Sequence, residues 1–145
     1  MLNRSDTGLS GGSKLGVMDP ERQNQTILVA EDEPDVGAVV ARILEKAGYP
    51  VLLADGAEAA ISLWEQHESR VALLLTDVQM PGMSGSELAD HILEREPRIP
   101  VLFMSGGDWN ACRGFGCVSK PFTRTELVGK VAAALGGRNR GCSAA

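Results

Sequence analysis

The stretch VALLLTDVQMPGMSG at residues 71–85 decides the predicted fold. Its first six residues, five of them apolar, lead directly into the carboxylate of Asp77, and a Pro-Gly turn signal follows shortly after. A continuous apolar run of this length, bounded by turn residues, is typical of a strand buried on both faces. Asp77 therefore falls at the carboxyl end of a parallel strand, where open α/β sheets bind their ligands. Because an unpaired buried carboxylate costs several kcal/mol, we expect the chain to supply a cation nearby.

Composition and charge are those of an ordinary globular chain. Of the 145 residues, 43% are hydrophobic and 23% are charged, and the formal net charge of −5 does not favour nucleic acid or an anionic membrane as a direct partner. No apolar run approaches the roughly 18 residues of a membrane span, and the N-terminus lacks a signal-peptide pattern. The three cysteines are odd in number and suit a reducing compartment, so we expect a cytoplasmic protein with ordinary thiols.

Strand and helix patterns alternate between residues 25 and 136, which we predict to form one domain. Residues 1–24 are predicted to be a disordered extension and residues 137–145 a flexible tail. The predicted strands cover residues 26–30, 51–54, 71–76, 99–104 and 115–118. Helical repeats follow Pro34, Ala57, Ser84 and Thr123. This alternation predicts a flavodoxin-like, doubly wound sheet of five parallel strands in the order 2-1-3-4-5.

Local signals mark where three of the predicted helices begin. Pro34 suits the first turn of a helix, because its missing N–H would have no partner there. Ser84 with Glu87, and Thr123 with Glu126, have the spacing of a capping box. These signals support the predicted helix starts.

Polar side chains follow four predicted strands at one edge of the sheet. Glu31 and Asp32 follow the first strand, and Asp77, Ser105 and Lys120 follow the third, fourth and fifth. Three carboxylates at one edge repel one another unless a hard cation neutralises them, and oxygen ligands select Mg²⁺ or Mn²⁺. A protein-bound Mg²⁺ ion keeps several of its water ligands. We therefore expect Asp32 and Asp77 to bind the ion directly and Glu31 to contact it through a bound water. With the ammonium of Lys120 and the hydroxyl of Ser105, the set predicts a phosphoryl-accepting site.

Four motifs carry a family resemblance: ILVAEDEP at residues 27–34, TDVQMPGMSG at 76–85, MSG at 104–106 and KPF at 120–122. Together they resemble the receiver domain of bacterial two-component response regulators. The resemblance covers about residues 25–136. Each motif is weak alone, but four in order, each at the end of its own strand, are highly specific.

The resemblance implies a phosphorylation site. Asp77 would be the phospho-acceptor, which receives its phosphoryl group from the phosphohistidine of a sensor histidine kinase or a phosphotransfer protein. Glu31 and Asp32 would form the acidic pair, and the backbone carbonyl of Gln79 would complete the Mg²⁺ site.

The resemblance also implies roles for the polar residues of the last two strands. Ser105 would bond a phosphoryl oxygen and shift with phosphorylation. Lys120 would pair with the acceptor, and the Lys120–Pro121 peptide bond would be cis.

The segment between Ser105 and Lys120 departs from the family. It is about two helical turns shorter than in typical receivers, and residues 106–114 contain three glycines and no amphipathic repeat. The helix that usually lies here, the fourth, is therefore predicted to be shortened or absent. Cys117 stands where an aromatic switch residue is common in the family. Gly107 leaves little bulk near the expected phosphoryl group, which predicts easy access of water and a short-lived phospho-aspartate.

Three functions remain open from the sequence. The first is a stand-alone receiver that signals to a downstream effector protein by contact and is not a turnover enzyme. The second is a degenerate receiver that acts as a constitutive protein-binding module. The intact Asp32, Asp77 and Lys120 argue against this function, whereas the shortened segment between Ser105 and Lys120 argues for it. The third is a Mg²⁺-dependent phosphatase with an aspartyl nucleophile. Gln79 speaks against the third, because that class carries a second aspartate at this position.

Overall fold

Five parallel strands form one sheet in the computed structural model, which describes residues 25–67, 70–107 and 115–139. The strands are β1 (Thr26–Ala30), β2 (Val51–Ala54), β3 (Val71–Asp77), β4 (Val101–Ser105) and β5 (Gly116–Ser119). Their order in the sheet is β2-β1-β3-β4-β5, and every neighbouring pair is parallel. The doubly wound order predicted from the sequence is confirmed.

Four helices accompany the strands within the described residues: α1 (Pro34–Lys46), α2 (Ala57–His67), α3 (Gly85–Arg95) and α4 (Arg124–Asn139). The predicted loss of a helix between β4 and β5 falls mainly on residues 108–114, which lie outside the described residues. Helix α4 ends at Asn139, three residues into the range 137–145 that the sequence predicts to be a flexible tail. None of the described helices combines the length and the apolar character needed to cross a bilayer.

Strand β3 is the centre of the core. Leu73, Leu74 and Leu75 have no exposed surface, because β1 and β4 pair with β3 on either side and helices cover both faces of the sheet. One apolar layer includes Trp64 of α2, and the opposite layer includes Leu44 of α1. Burial on both faces explains why the strand is continuously apolar rather than alternating.

The register of the sheet aligns the strand ends. The last residue of β1 pairs with Thr76, Asp77 pairs with Met104, and Ser105 pairs with Ser119. Because the strands are parallel and in register, the residues that follow β1, β3, β4 and β5 all emerge at the same edge.

Strands β4 and β5 start and end slightly later than the predicted ranges 99–104 and 115–118. Ile99 is buried but lies before the ladder, whereas Ser105 is buried and pairs within it. An apolar pattern reports burial rather than backbone pairing, so it places strand boundaries only approximately.

The predicted helix starts are confirmed by their contacts. Pro34 lies in the first turn of α1. The backbone N–H of Glu87 donates to the hydroxyl of Ser84 at 3.1 Å, and the N–H of Ser84 donates to the Glu87 carboxylate at 2.9 Å. Thr123 and Glu126 make the same reciprocal pair before α4, at 3.1 and 2.9 Å. Each pair satisfies two N–H groups that would otherwise lack partners.

Candidate functional site

A cleft opens at the carboxyl edge of the sheet, where β1, β3, β4 and β5 end. It has a volume of about 580 Å³. Its lining includes five of the six residues that the sequence singled out, namely Asp32, Asp77, Gln79, Ser105 and Lys120. The sixth, Glu31, is enclosed beside the cleft. The alignment of strand ends has therefore brought the predicted site residues together.

Three carboxylates form a tight cluster at this edge. One oxygen each from Glu31, Asp32 and Asp77 lies within 4.8 Å of the others. The side chain of Asp77 is 13% exposed, whereas that of Glu31 has no exposed surface. Negative charges this close repel one another and favour a bound cation. The all-oxygen donor set fits a hard divalent cation such as Mg²⁺.

Lys120 is the protein's own cation at the cluster. Its Nζ donates to Oε1 of Glu31 at 2.9 Å and lies 3.4 Å from Oδ2 of Asp77. Its backbone N–H donates to the carbonyl of Ser105 at 2.8 Å, and the Lys120–Pro121 peptide bond is cis. Burial lowers the pKa of Lys120, but the hydrogen bond with Glu31 and the charges of Asp77 and Glu31 together raise the pKa above its ordinary value. Lys120 is therefore held in its charged form.

Glu31 is the most enclosed of the three acids. Its Oε2 accepts a hydrogen bond from the backbone N–H of Glu33 at 3.2 Å, while Oε1 accepts from Lys120. Burial raises the pKa of Glu31 above its ordinary value, and the charge of Asp77 acts in the same direction, against the hydrogen bonds from Lys120 and Glu33. Both oxygens of Glu31 thus have a donor within the protein, which spacing in the sequence does not predict.

Ser105 closes the β4 side of the cleft. It is buried, and its Oγ accepts a hydrogen bond from the backbone N–H of Gly107 at 3.1 Å. A Cβ placed on Gly106 or Gly107 would meet nothing within 4 Å. Within the described part of the chain, the cleft is therefore open beside these two glycines.

Gly85 has a structural role that the sequence did not reveal. As the first residue of α3, it donates its backbone N–H to the carbonyl of Val78 at 2.9 Å. A Cβ on Gly85 would overlap the carbonyl oxygen of Asp77. Glycine permits this close approach of two backbones. In the sequence, this role is indicated by the position of the glycine directly after the Ser84 cap. That position does not show what the glycine packs against.

Cys117 differs from its prediction. The cysteine lies buried in β5 and is disulfide-bonded. The expectation of an ordinary thiol is wrong for this residue. A disulfide requires Cα atoms within about 7 Å of each other, and sequence spacing alone does not show which residues a loop brings so close.

Comparisons with known proteins point to one family. The response regulator receiver domain family matches residues 27–132, which include all of the site residues. The response regulator receiver protein CpdR of Brucella abortus is 37% identical over 112 residues, which cover 72% of this chain and 92% of that protein. Seven further curated relatives are longer, and the chain spans 15% to 50% of their length.

Solved structures share the fold as well. The receiver domain from the hybrid histidine kinase CckA has a TM-score of 0.68 and 34% identity, with 76% of this chain and 98% of that chain covered. The response regulator protein TrrA from Thermotoga maritima, solved in complex with Mg²⁺ and BeF, has a TM-score of 0.68 and 25% identity, with the same 76% and 98% covered. The strand order, the acidic cleft and these similarities show that the chain belongs to the response regulator receiver domain family of two-component signal transduction.

Proposed function

We propose that Asp77 accepts a phosphoryl group from the phosphohistidine of a sensor histidine kinase or a phosphotransfer protein, and that the chain passes this state to a downstream effector protein by contact. The observation that carries the proposal is the position of Asp77. Its carboxylate lies in an open cleft, within 4.8 Å of two further acids and 3.4 Å from the ammonium of Lys120. Membership of the receiver family supports the same function.

The chemistry requires one nucleophilic step. A carboxylate oxygen of Asp77 attacks the phosphorus atom of the phosphohistidine. The new O–P bond forms as the N–P bond breaks, and the electron pair of the broken bond stays on the imidazole. Phosphoryl transfer depends chiefly on positioning and on neutralising charge. Asp77 is well positioned for the transfer, because it ends a buried strand and its side chain is still accessible from the cleft.

Mg²⁺, or Mn²⁺ in its place, would be held by Asp32, Asp77 and the backbone carbonyl of Gln79. All three residues line the cleft, and their donors are the oxygens that hard cations prefer. The cation, when bound, neutralises charge on the carboxylates and on the phosphoryl oxygens. The complex of the relative TrrA with Mg²⁺ and BeF supports this assignment.

Lys120 and Ser105 would contact the phosphoryl group on Asp77. The ammonium of Lys120 is close enough to Asp77 to pair with a phosphoryl oxygen after transfer. Ser105 would turn its hydroxyl toward another oxygen, since a hydroxyl can donate one hydrogen bond while it accepts others. Movement of these two side chains would then report the phosphorylated state.

Incubation with acetyl phosphate and Mg²⁺ tests the proposal without a kinase. We expect intact-mass spectrometry to show one added phosphoryl group, and chelation of Mg²⁺ with EDTA to remove the labelling, because the clustered acids would then repel the anionic donor. Labelling that is unaffected by EDTA would contradict the proposed metal dependence. If neither an adduct nor release of inorganic phosphate is found, the chain is a degenerate receiver that acts as a constitutive binding module.

An apolar patch borders the cleft and suits a phosphodonor protein. Val36, Val39, Pro121 and Phe122 line a pocket of about 450 Å³ that also includes the charged residues Asp35 and Lys120. Val39 is 55% exposed. A phosphohistidine must come within bonding distance of Asp77, so the partner that carries it must cover the rim of the cleft. Apolar contacts beside Lys120 would stabilise that encounter.

Val39→Asp is expected to lower the rate of phosphotransfer from a phosphorylated histidine kinase or phosphotransfer protein about tenfold, as loss of one good interface contact does. Labelling by acetyl phosphate should not change, because the small donor does not need the patch. Leu53→Asp is the matched control, since Leu53 is also exposed but does not line the patch. Equal loss with both donors would show that Val39 supports the site rather than the partner.

The phospho-aspartate is expected to be short-lived, because the described residues leave the cleft open beside Gly106 and Gly107. Gly106→Gln should slow its decay several-fold by screening the phosphoryl group from water; Gly106 is the site of choice because Gly107 has a φ of +156°, which residues with a side chain rarely adopt. The decay is measured by intact mass after removal of acetyl phosphate. Gly56→Gln, at another position with open space around it, should decay like the wild type. Slow decay of the wild-type protein would contradict this prediction.

A further inference from the structure

A groove of about 420 Å³ lies between α1 and α4, apart from the acidic cleft. The described residues that line the groove share none with the lining of the cleft. Its apolar part includes Ile43 and Ala47 of α1 and Val128 of α4, and the charged residues of the described lining are Lys46 and Arg124. Both charges are positive, although the chain as a whole has a net charge of −5. The groove is therefore an apolar surface with a positive rim.

The exposed side of α1 beside this groove carries opposite charges at its two ends. Four exposed residues follow one another at spacings of three or four positions, which places them along one side of the helix, namely Asp35, Val39, Arg42 and Lys46. Asp35 lies in the first turn and also lines the apolar patch, whereas Lys46 ends the helix and lines the groove. This side of α1 thus runs from an acid, through an exposed valine, to two bases.

A second copy of the chain fits this charge pattern. If two copies of α1 pack antiparallel about a two-fold axis, the start of each helix faces the end of the other. Asp35 of each copy then lies against Lys46 of the other, so the same ion pair forms twice, and the two Val39 side chains lie near the centre. A helix with acidic flanks from another protein would match only the basic end of α1 and would meet Asp35 with a like charge. Charge complementarity therefore favours a second copy.

We infer that this side of α1, together with the groove, is the interface of a symmetric homodimer. Burial of the apolar residues would supply most of the affinity, because exposed ion pairs contribute little, and the two ion pairs would fix the antiparallel orientation. The dimer would cover the apolar patch, so only the monomer would present that patch to a phosphodonor protein. This consequence rests on the proposed docking of the donor, whereas the dimer itself does not.

Sedimentation velocity tests the dimer without any phosphodonor. The weight-average mass of the full chain is measured from low micromolar to near-millimolar concentration, at low ionic strength because salt screens exposed charges. We expect the mass to rise from that of one chain toward twice that value. The mass of one chain at every concentration would overturn the inference and leave the groove to a different protein. A failure of Asp77 to accept a phosphoryl group would not alter this readout.

Charge reversal tests whether these residues form the interface. Lys46→Glu should weaken the dimer about tenfold, because the substitution occurs twice in a symmetric interface and turns each ion pair into a repulsion. Asp35→Lys should weaken the dimer to a similar extent. The double variant, in which Asp35→Lys and Lys46→Glu are combined, restores both ion pairs with their signs exchanged. Its dimer affinity should return to within about threefold of the wild type.

The double variant also distinguishes an interface from a merely structural effect. Each single substitution places an unfavourable charge at one end of α1, and the two costs would add in the double variant. A double variant that dimerises more weakly than either single variant would overturn the inference. Lys130→Glu is the matched control, because Lys130 is an exposed lysine of α4 that lines a different pocket. It should dimerise like the wild type; equal weakening by Lys130→Glu and Lys46→Glu would show that only net charge matters and would contradict the proposed interface.

Discussion

Asp77→Asn is expected to reduce labelling by acetyl phosphate to below detection, while the protein stays folded. The amide has nearly the shape of the carboxylate, but it lacks the anionic oxygen that attacks phosphorus. The substitution also removes one of three clustered negative charges, which offsets the loss of the contact with Lys120 at 3.4 Å. We therefore expect little change in the denaturant midpoint. The measurement is intact mass in the presence of Mg²⁺, with circular dichroism as the check on folding.

Asp55→Asn is the matched control for this loss. Asp55 follows β2 at the same edge of the sheet, but it is exposed and is not part of the cleft lining. The Asp55→Asn variant should be labelled by acetyl phosphate to the same extent as the wild type. Wild-type levels of labelling in Asp77→Asn would mean that another side chain is the acceptor.

Gly85→Ala is expected to lower the free energy of unfolding by about 3 kcal/mol, the upper part of the range for overpacked positions. The added methyl group would overlap the carbonyl oxygen of Asp77. That oxygen belongs to the backbone of a buried strand and cannot swing aside as the end of a flexible side chain can. Helix α3 would have to move away from β3, which would also displace Asp77. Denaturant unfolding measures the first effect, and slower labelling by acetyl phosphate reports the second.

Gly129→Ala, in the interior of α4, separates this steric effect from the general preference of helices for alanine. A Cβ at Gly129 would meet nothing within 4 Å. Alanine there should stabilise the protein by about 0.5–1 kcal/mol. If Gly85→Ala is as stable as the wild type, α3 can shift from Asp77 without cost, and the close packing of the two backbones is not required.

Much of the fold and site could be predicted because both follow from short-range patterns. The unbroken apolar run before Asp77 marks a strand buried on both faces, and the structure gives Leu73–Leu75 no exposed surface. Once the strand order is known, parallel strands place Asp32, Ser105 and Lys120 at the same edge, without any knowledge of their side-chain conformations.

The features that were not predicted depend on distances between parts of the chain far apart in sequence. The hydrogen bond between Lys120 and Glu31 spans two intervening strands. It depends on how the two side chains are oriented and buried at the edge of the sheet. The role of Gly85 depends on how closely α3 approaches β3. The disulfide of Cys117 likewise depends on the path of the chain rather than on spacing. A single sequence carries no direct signal for such distances.

Chemical identification of the phosphorylated residue tests the central claim most directly. The protein is labelled with acetyl phosphate and Mg²⁺, and then treated with borohydride, which reduces an aspartyl phosphate to homoserine. Tandem mass spectrometry of the peptides locates the converted residue. We expect homoserine at position 77 and nowhere else. Homoserine at Asp32, or a phosphoryl group on Ser105 that resists borohydride, would contradict the assignment of Asp77 as the acceptor.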